Sequence, residues 1–188
     1  MARRVFERSP ERHIDVGSRI DGFVAHVAAF RAIDVVDIRP LTVAAKNISF
    51  VRSDMQNPDA AGRIGEADSV SCLNAVEHFG LGRYGDPLQV DGHVQGIRNI
   101  ARLVLQGGIY YLSVPIGPQR VEFNAHRVFA AQTIPDILAD AFVLERFSFI
   151  DDADAFHEDV AFAGEDVARH FGCNFGCGIY ELRRILAA

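Results

Sequence analysis

The stretch His13-Ile14-Asp15-Val16-Gly17-Ser18-Arg19-Ile20-Asp21-Gly22-Phe23 reads as a short strand that closes on an acid and a glycine turn. Beyond it, Phe23, Val24, Val27, Ala28 and Phe30 fall at helical spacing, so a helix is expected over Gly22 to Arg31. Ala32 to Ile38 follows as a second strand, rich in β-branched residues and closed by Asp37, Arg39 and the breaker Pro40. Strand, turn, helix and strand in this order form one βαβ unit of a parallel sheet.

The same alternation runs outward along the chain. Ile48 to Arg52 is expected as a third strand ending in Ser53 and Asp54, and Asn57-Pro58-Asp59 opens a short helix or turn. Ser69 to Leu73 is a fourth, ending at Asn74. Val90, Val94, Ile97, Ile100, Ala101, Val104 and Leu105 recur every three or four residues, predicting a helix with Asp91 as N-cap and Gly107-Gly108 as its end. Ile109 to Val114 is a fifth strand, Thr133 caps a helix through Ala141, and Val143 to Ile150 and Gly178 to Leu182 are the sixth and seventh strands. The last two are expected to pair antiparallel at one edge. This pattern predicts an α/β, Rossmann-like three-layer sandwich. Its seven-stranded sheet is mostly parallel with an antiparallel last strand, and residues 1–188 form one domain.

Composition narrows the function. The chain has 188 residues, 49% of them hydrophobic, which is enough to bury one substantial core. Its 19 basic and 25 acidic residues give a net charge of -6, against a broad nucleic-acid or anionic-membrane surface. No apolar run reaches the ~20 residues that cross a bilayer. The charged start has no apolar signal core. The three cysteines, Cys72, Cys173 and Cys177, are too few and odd in number to form a disulfide framework, which fits a reducing, cytoplasmic setting. Cys173 and Cys177 lack the further ligands a structural zinc needs, and read as ordinary thiols.

Open α/β sheets bind ligands beyond the carboxyl ends of their strands. Here those ends carry Asp15, Gly17, Ser18 and Arg19, then Asp37, then Asp54, then Asn74, Glu77 and His78. Asp37 stands 22 residues after Asp15, near the ~20-residue offset at which an acid accepts a ribose hydroxyl. A nucleoside is therefore the leading ligand. The turn Gly17-Ser18-Arg19-Ile20-Asp21-Gly22 lacks the middle glycine of a dinucleotide fingerprint, and Phe23-Val24 stands where a phosphate loop has Lys and Ser or Thr. NAD and ATP are thereby disfavoured.

Two long segments, Glu77 to Leu88 and Ile116 to Gln132, are placed to meet over the strand ends. The first holds Glu77, His78, Arg83, Tyr84 and Asp86, and the second Asn124, His126 and Arg127. A histidine near neutral pH can take a proton, and an acid can orient it. Arg83, Arg120 and Arg127 can read a carboxylate or phosphate. The bland alternatives are a His-Arg hydrogen-bond hub and a tightly turned loop capped by Asp86. Glu77, His78, Asp86 and His126 also make a candidate metal set, although at none of the spacings of a firm motif.

The series HIDVGSRIDGF, VDIRP, FVRSDM and NAVEHFG resembles the motif order of class I S-adenosylmethionine-dependent methyltransferases over Ile14 to Leu182. More narrowly, EHFGLGRYGDP, SVPIGPQRVEFNAHRVF and GCGIYEL resemble the family 268 of domains of unknown function. The resemblance implies S-adenosylmethionine as cofactor, with Asp15 and Gly17 at its methionine end, Asp37 at the ribose, and Asp54 with Met55 at the adenine. Arg19 and Asp21 stand where the pattern has glycines. They supply a cation for the cofactor's carboxylate and an acid for its ammonium.

The expected activity is methyl transfer to a small polar acceptor, such as a sugar or sugar nucleotide. His78 or His126 would be the base with Glu77 and Asp86 nearby, and Arg83, Tyr84, Asn124 and Arg127 would hold the acceptor. The rivals are a catalytically silent binding module and a metal-assisted hydrolase or lyase. The short lead before the first strand leaves the site open or completed by a second copy in a homodimer.

Overall fold

Strand β1 (His13–Val16) is buried at all four residues because it lies between two parallel neighbours, β2 (Ile33–Asp37) and β4 (Ala67–Leu73). The computed structural model describes residues 1–41 and 45–185, and within them the sheet grows outward from this strand. β3 (Ile48–Arg52) pairs in parallel beyond β2 and forms one edge, where its residues are mostly exposed. On the other side β5 (Val104–Ile116) pairs in parallel with β4. A two-stranded hairpin, β6 (Arg120–Val121) with β7 (Arg127–Val128), stands apart from the sheet just past β5. The sheet is completed by β8 (Phe142–Ile150), β9 (Phe156–His157) and β10 (Gly176–Arg184), giving the order β3-β2-β1-β4-β5-β10-β8-β9.

The mostly parallel α/β sandwich expected from the sequence is the fold observed, with two differences in the sheet. Among the described residues it has eight strands rather than seven, because Phe156–His157 adds a two-residue edge to β8. β10 does not merely pair with β8 at an edge. It is inserted between β5 and β8 and runs antiparallel to both.

Two-residue alternation sends side chains to two cores. Val36 of β2 and Tyr110 and Leu112 of β5 join Ile97 and Ile100 of α4 (Gly92–Ala101) and Ile134 and Leu138 of α5 (Thr133–Leu138). Ile64 of α3 (Ala60–Ile64) belongs to the same cluster. Ile33 and Val35, with Ile109 and Tyr111, point the other way onto Val27 of α2 (Ala25–Ala28) and Val5 of α1 (Ala2–Arg8). α1 was not foreseen, since one buried valine among charges gives no readable period. It ends at Ser9 in the left-handed conformation, and Arg4 and Arg8 each reach the buried carboxylate of Glu181 at 3.4 Å. The helix expected up to Leu105 stops at Ala101, and Val104 and Leu105 open β5 instead. The helix expected from Gly22 begins as one wide turn over Ile20–Val24 before α2. No helix among the described residues is long and apolar enough to cross a membrane.

Candidate functional site at the strand ends

A cavity of about 420 Å³ opens beyond the carboxyl ends of β1, β2, β3 and β4, within the ~300–1,000 Å³ range of small-molecule pockets. Gly17, Ser18 and Arg19 line it from the turn after β1, Asp37 from β2, Asp54 and Met55 from beyond β3, and Asn74 from the end of β4. His78, Tyr84 and Asp86 line its far wall. Residues 57 positions apart in the chain, Gly17 and Asn74, thus share one wall because their strands are neighbours.

The turn after β1 requires its glycine. Gly17 has φ +82°, and a Cβ there would stand 2.6 Å from Cβ of Ala75. The Gly17 amide donates to the carbonyl of Val36 at 2.9 Å, locking the turn to β2. Gly22, by contrast, has open space where a Cβ would go.

Asp15, expected to touch the cofactor, is fully buried and does not line the cavity. It alternates with Val16, so its carboxylate turns under the turn rather than out of it. There it accepts from Ser18 N at 3.3 Å, Ser18 Oγ at 3.0 Å and Ser71 Oγ at 2.5 Å. Its role is to hold the turn. Burial raises its pKa to about 6, against the lowering effect of these donors. Ser71 Oγ is also 3.1 Å from Nε2 of His13, whose Nδ1 is 2.7 Å from Ser69 Oγ. His13 is likewise buried, which pushes its pKa down to about 3.

Asp37 faces the cavity, but a cation has already claimed it. Arg39 Nε donates to its two oxygens at 2.9 and 3.1 Å, the terminal guanidinium nitrogen adds a further short bond, and the Arg39 amide donates at 2.8 Å. The same guanidinium donates to the Gly17 carbonyl at 3.2 Å and lies 5.1 Å from the centre of the Tyr84 ring. Arg39 therefore straps three parts of the cavity together. Arg19 and Asp21, placed to meet opposite ends of an amino acid, meet each other instead, with bonds of 3.1 and 2.7 Å on the exposed rim. Asp54 accepts from the Gln56 amide at 2.9 Å, and it too lines the cavity.

Beyond β4, Asn74 adopts φ +52° and turns the chain into Val76–His78. His78 donates through Nδ1 to the Ala125 carbonyl at 2.9 Å. A carbonyl can only accept, so Nδ1 carries the proton and Nε2 keeps its lone pair. Desolvation lowers the His78 pKa, keeping the ring neutral. Nε2 stands 3.8 Å from Oε1 of Glu77, whose other oxygen has no partner. Burial pushes the Glu77 carboxyl up to about 8, so it is largely protonated at neutral pH.

The remaining loop residues are engaged with the chain itself. Asp86, expected beside the base, accepts from the amides of Gly80 at 2.8 Å, Gly82 at 3.3 Å and Tyr84 at 3.1 Å, and from Gln56 Nε2 at 3.3 Å. It is the organiser of its own loop. Arg127, expected to read an acceptor, is buried and donates to the carbonyls of Phe79 at 2.5 Å, Glu77 at 3.5 Å and Val90 at 3.4 Å. Arg83 donates to the Ala125 carbonyl at 2.7 Å. Asn124 occupies the exposed hairpin turn at φ +52°. His126 lies outside the cavity lining and stacks on Phe175, with centroids 5.2 Å apart.

Among the described residues no three His, Cys, Asp or Glu side chains converge to hold a metal ion. That removes the metal-assisted hydrolase: Asp86 spends its oxygens on backbone amides, and His126 turns toward Phe175. The cysteines are free thiols. Burial pushes Cys177 up to about 11, although its Sγ sits 3.6 Å from Asn74 Oδ1. Sequence reading missed Arg39, Gln56 and Phe79 of the cavity wall. For Arg39 the signal was present, since residues two apart at a strand end share a face with Asp37.

The family described as Caenorhabditis protein of unknown function, DUF268, matches residues 35–158. No curated protein matches the sequence. Among solved structures, the chain is similar to the N-methyltransferase NodS from Bradyrhizobium japonicum WM9 in complex with S-adenosylhomocysteine, with a TM-score of 0.63 and 13% identity over 97% of this chain and 83% of that one. It is also similar to a Burkholderia thailandensis 1,6-didemethyltoxoflavin-N1-methyltransferase, with a TM-score of 0.65 and 15% identity over 98% and 76% of the two chains. The [4+2]-cyclase SpnF matches at a TM-score of 0.63 and 14% identity, over 93% and 75%. At these identities the likeness is one of fold, the class I S-adenosylmethionine-dependent methyltransferase fold, and fold by itself does not fix chemistry.

Proposed function

From the premise that this chain belongs to the DUF268 family and has the class I methyltransferase fold, we propose that it transfers a methyl group from S-adenosylmethionine to an oxygen or nitrogen of a small polar acceptor, a sugar or sugar nucleotide. One observation carries the reading: Gly17, Asp37 and Asp54, from three successive strand ends, line a single cavity of about 420 Å³.

The residues present fit that cofactor. The cavity has the volume, the Gly17 turn has no room for a side chain, and the two carboxylates can accept from hydroxyl and amino groups. Gly17 and Ser18 would take the methionine end, Asp37 the ribose, and Asp54 with the buried Met55 the adenine. Arg39 must release Asp37 for the ribose to enter. When bound, the cofactor supplies a methyl already activated on sulfonium sulfur, which keeps the bonding electron pair as the methyl departs.

The chain's own task is then to align the acceptor and accept its proton. His78 is the base in this reading, because it lines the cavity and its Nδ1–H is fixed on Ala125. Glu77 is a positioning residue whose carboxyl stands 3.8 Å from Nε2, beyond hydrogen-bond distance, and biases the ring's charge when His78 takes up the acceptor's proton. His126 is left without a catalytic part. The setting is taken as cytoplasmic, with no nucleic-acid partner, and residues 1–188 as one domain. A homodimer that completes the open rim belongs to the same reading.

The second reading, a silent binding module, draws on the self-pairing of Arg39 with Asp37 and of Arg19 with Asp21. Calorimetric titration of S-adenosylhomocysteine, with NAD as a parallel control, separates the two. Micromolar binding of the former alone supports the methyltransferase, and no binding of either moves the assignment to the binding module.

A further inference from the structure

The loops beside the cavity turn apolar side chains outward. Phe123 on the β6–β7 hairpin is 98% exposed, and Leu88 and Val90 in the loop after β4 are 83% and 93% exposed. Phe175, in the turn before β10, is half exposed. Polar bonds join these segments into one surface: Arg83 to the Ala125 carbonyl at 2.7 Å, Arg127 to the Val90 carbonyl at 3.4 Å, and Arg120 to the Asn174 carbonyl at 3.0 Å. Through the middle runs an unbroken row of rings. Tyr84 lies 5.4 Å from His78, His78 lies 6.0 Å from His126, and His126 stacks on Phe175 at 5.2 Å. The row starts in the cavity wall, at Tyr84 and His78, and ends at the surface.

The ring row, which runs from the cavity wall to the surface with large exposed apolar groups on the segments that carry it, has the character of a binding surface. The charged groups that would make it polar, Arg83 and Arg127, are turned onto backbone carbonyls. We infer that the row is a second acceptor subsite and that the acceptor is an amphiphile. Its hydroxyl- or amine-bearing, sugar-like head sits at His78, and an alkyl or aryl body lies along His126 and Phe175, flanked by Phe123. The occupant is the acceptor itself, because the row is continuous with the cavity into which the reacting group must reach. Aromatic faces suit both halves, packing against the apolar C–H face of a sugar and against hydrocarbon. The place of the head rests on the methyltransferase reading, whereas the apolar body rests on the ring row alone.

The test compares n-octyl β-D-glucoside, kept below its micelle-forming concentration, with methyl β-D-glucoside, by saturation-transfer NMR and calorimetry on the whole chain. The octyl compound is expected to bind at least tenfold more tightly, and that advantage should fall severalfold in Phe123→Ser and Phe175→Ser. Phe6→Ser, at an α1 aromatic whose exposure is close to that of Phe175, should leave it unchanged. Equal affinity for the two glucosides overturns the subsite, as does an advantage lost equally in Phe6→Ser. Sedimentation that shows a dimer abolished by Phe123→Ser would instead assign the surface to a second copy and also overturn it. S-adenosylhomocysteine is titrated in every variant. If the original chain fails to bind it yet still prefers the octyl glucoside, the cofactor reading falls and the apolar subsite stands.

Discussion

The half of the strand-end surface proposed to hold a cofactor and the half proposed to hold an acceptor both carry charged residues, yet they use them differently. At β2 and just beyond β3, Asp37 and Asp54 are displayed toward the cavity. In the loops after β4 and β5, Asp86 and Arg127 are folded inward onto amides and carbonyls, while Leu88, Val90 and Phe123 face solvent. The cause is the backbone. Within the sheet, main-chain groups pair with neighbouring strands, so the side chains at the ends need serve only the short turn beside them, as Asp37 does for Arg39 and Asp54 for the Gln56 amide, and still line the cavity. A long loop has no such ladder, so its polar side chains satisfy its own buried N–H and C=O groups first. A charged residue in such a loop is therefore a weaker sign of a ligand than the same residue closing a strand.

This contrast can be broken in graded ways. The largest effect is expected from Gly17→Ala, which places a methyl 2.6 Å from Ala75 and imposes φ +82° on a residue with a Cβ. The backbone strain alone costs about 1–3 kcal/mol, so a lower thermal midpoint and loss of S-adenosylhomocysteine binding should appear together. A fully stable, binding-competent variant would show that the turn is not part of the pocket. Next comes Asp86→Ala, which strands loop amides at about 1–3 kcal/mol for a buried donor. Urea unfolding should register this loss, with Asp86→Asn recovering much of it. If Asp86→Asn were instead stable but inactive, Asp86 would be chemical rather than organisational.

Asp37→Ala should lower nucleoside affinity at least tenfold, with a smaller loss of stability than Asp86→Ala, since its carboxylate serves one backbone amide and one guanidinium, both of Arg39. Unchanged affinity would remove the ribose assignment.

Beneath the turn, His13 and Asp15 pull in opposite directions with pH. His13, with its pKa near 3 when folded and 6.5 as the ordinary value, stays neutral while the unfolded chain gains a proton, so its contribution to stability is lost as pH falls from about 6.5 toward 3. Asp15, raised from 3.8 to about 6, holds a proton in the folded chain that the unfolded chain has released, so it adds stability as pH falls through that window. His13→Gln should therefore lose less stability between pH 7 and pH 4.5 than the unaltered chain, measured by urea midpoints. An equal loss would rule out the imidazole as the source. The smallest effect belongs to Arg39→Ala, expected to tighten S-adenosylhomocysteine binding a few-fold by freeing Asp37. Weaker binding would make Arg39 a ligand contact rather than a competitor.

Legibility in the sequence followed the same division. β1 and β3 were bounded to the residue, because short apolar runs closed by an acid, Gly or Ser leave little choice. α4 was overextended, since Val104 and Leu105 fit both a helical period and the start of a buried strand. Gly17, Asp37, Asp54 and Asn74 could be found by asking which residues close a strand. Asp15 could be found but not oriented, because strand bounds alone do not say which of two alternating faces turns under the Gly17 turn, where Ser18 and Ser71 meet it. The partners of Asp86 and Arg127 were illegible, as they are main-chain groups brought near only by the finished loop. Arg39 was visible as a neighbour of Asp37, but its reach to Gly17 and Tyr84 depends on β1 and β2 being adjacent.

The place of β10 bears on how the molecule is made. β10 follows all the other strands in the chain, yet it sits inside the sheet, between β5 and β8. As the polypeptide leaves the ribosome, β1 to β5 can assemble in order, but β8 and β9 have no seat until β10 emerges. Until then β5 presents an open edge, the kind of surface on which nascent chains associate wrongly. Slowed translation or truncation within Gly176–Arg184 should thus produce aggregation out of proportion to the few residues affected, and β1, β2 and β3, which lead to Gly17, Asp37 and Asp54, would already be paired when it happened.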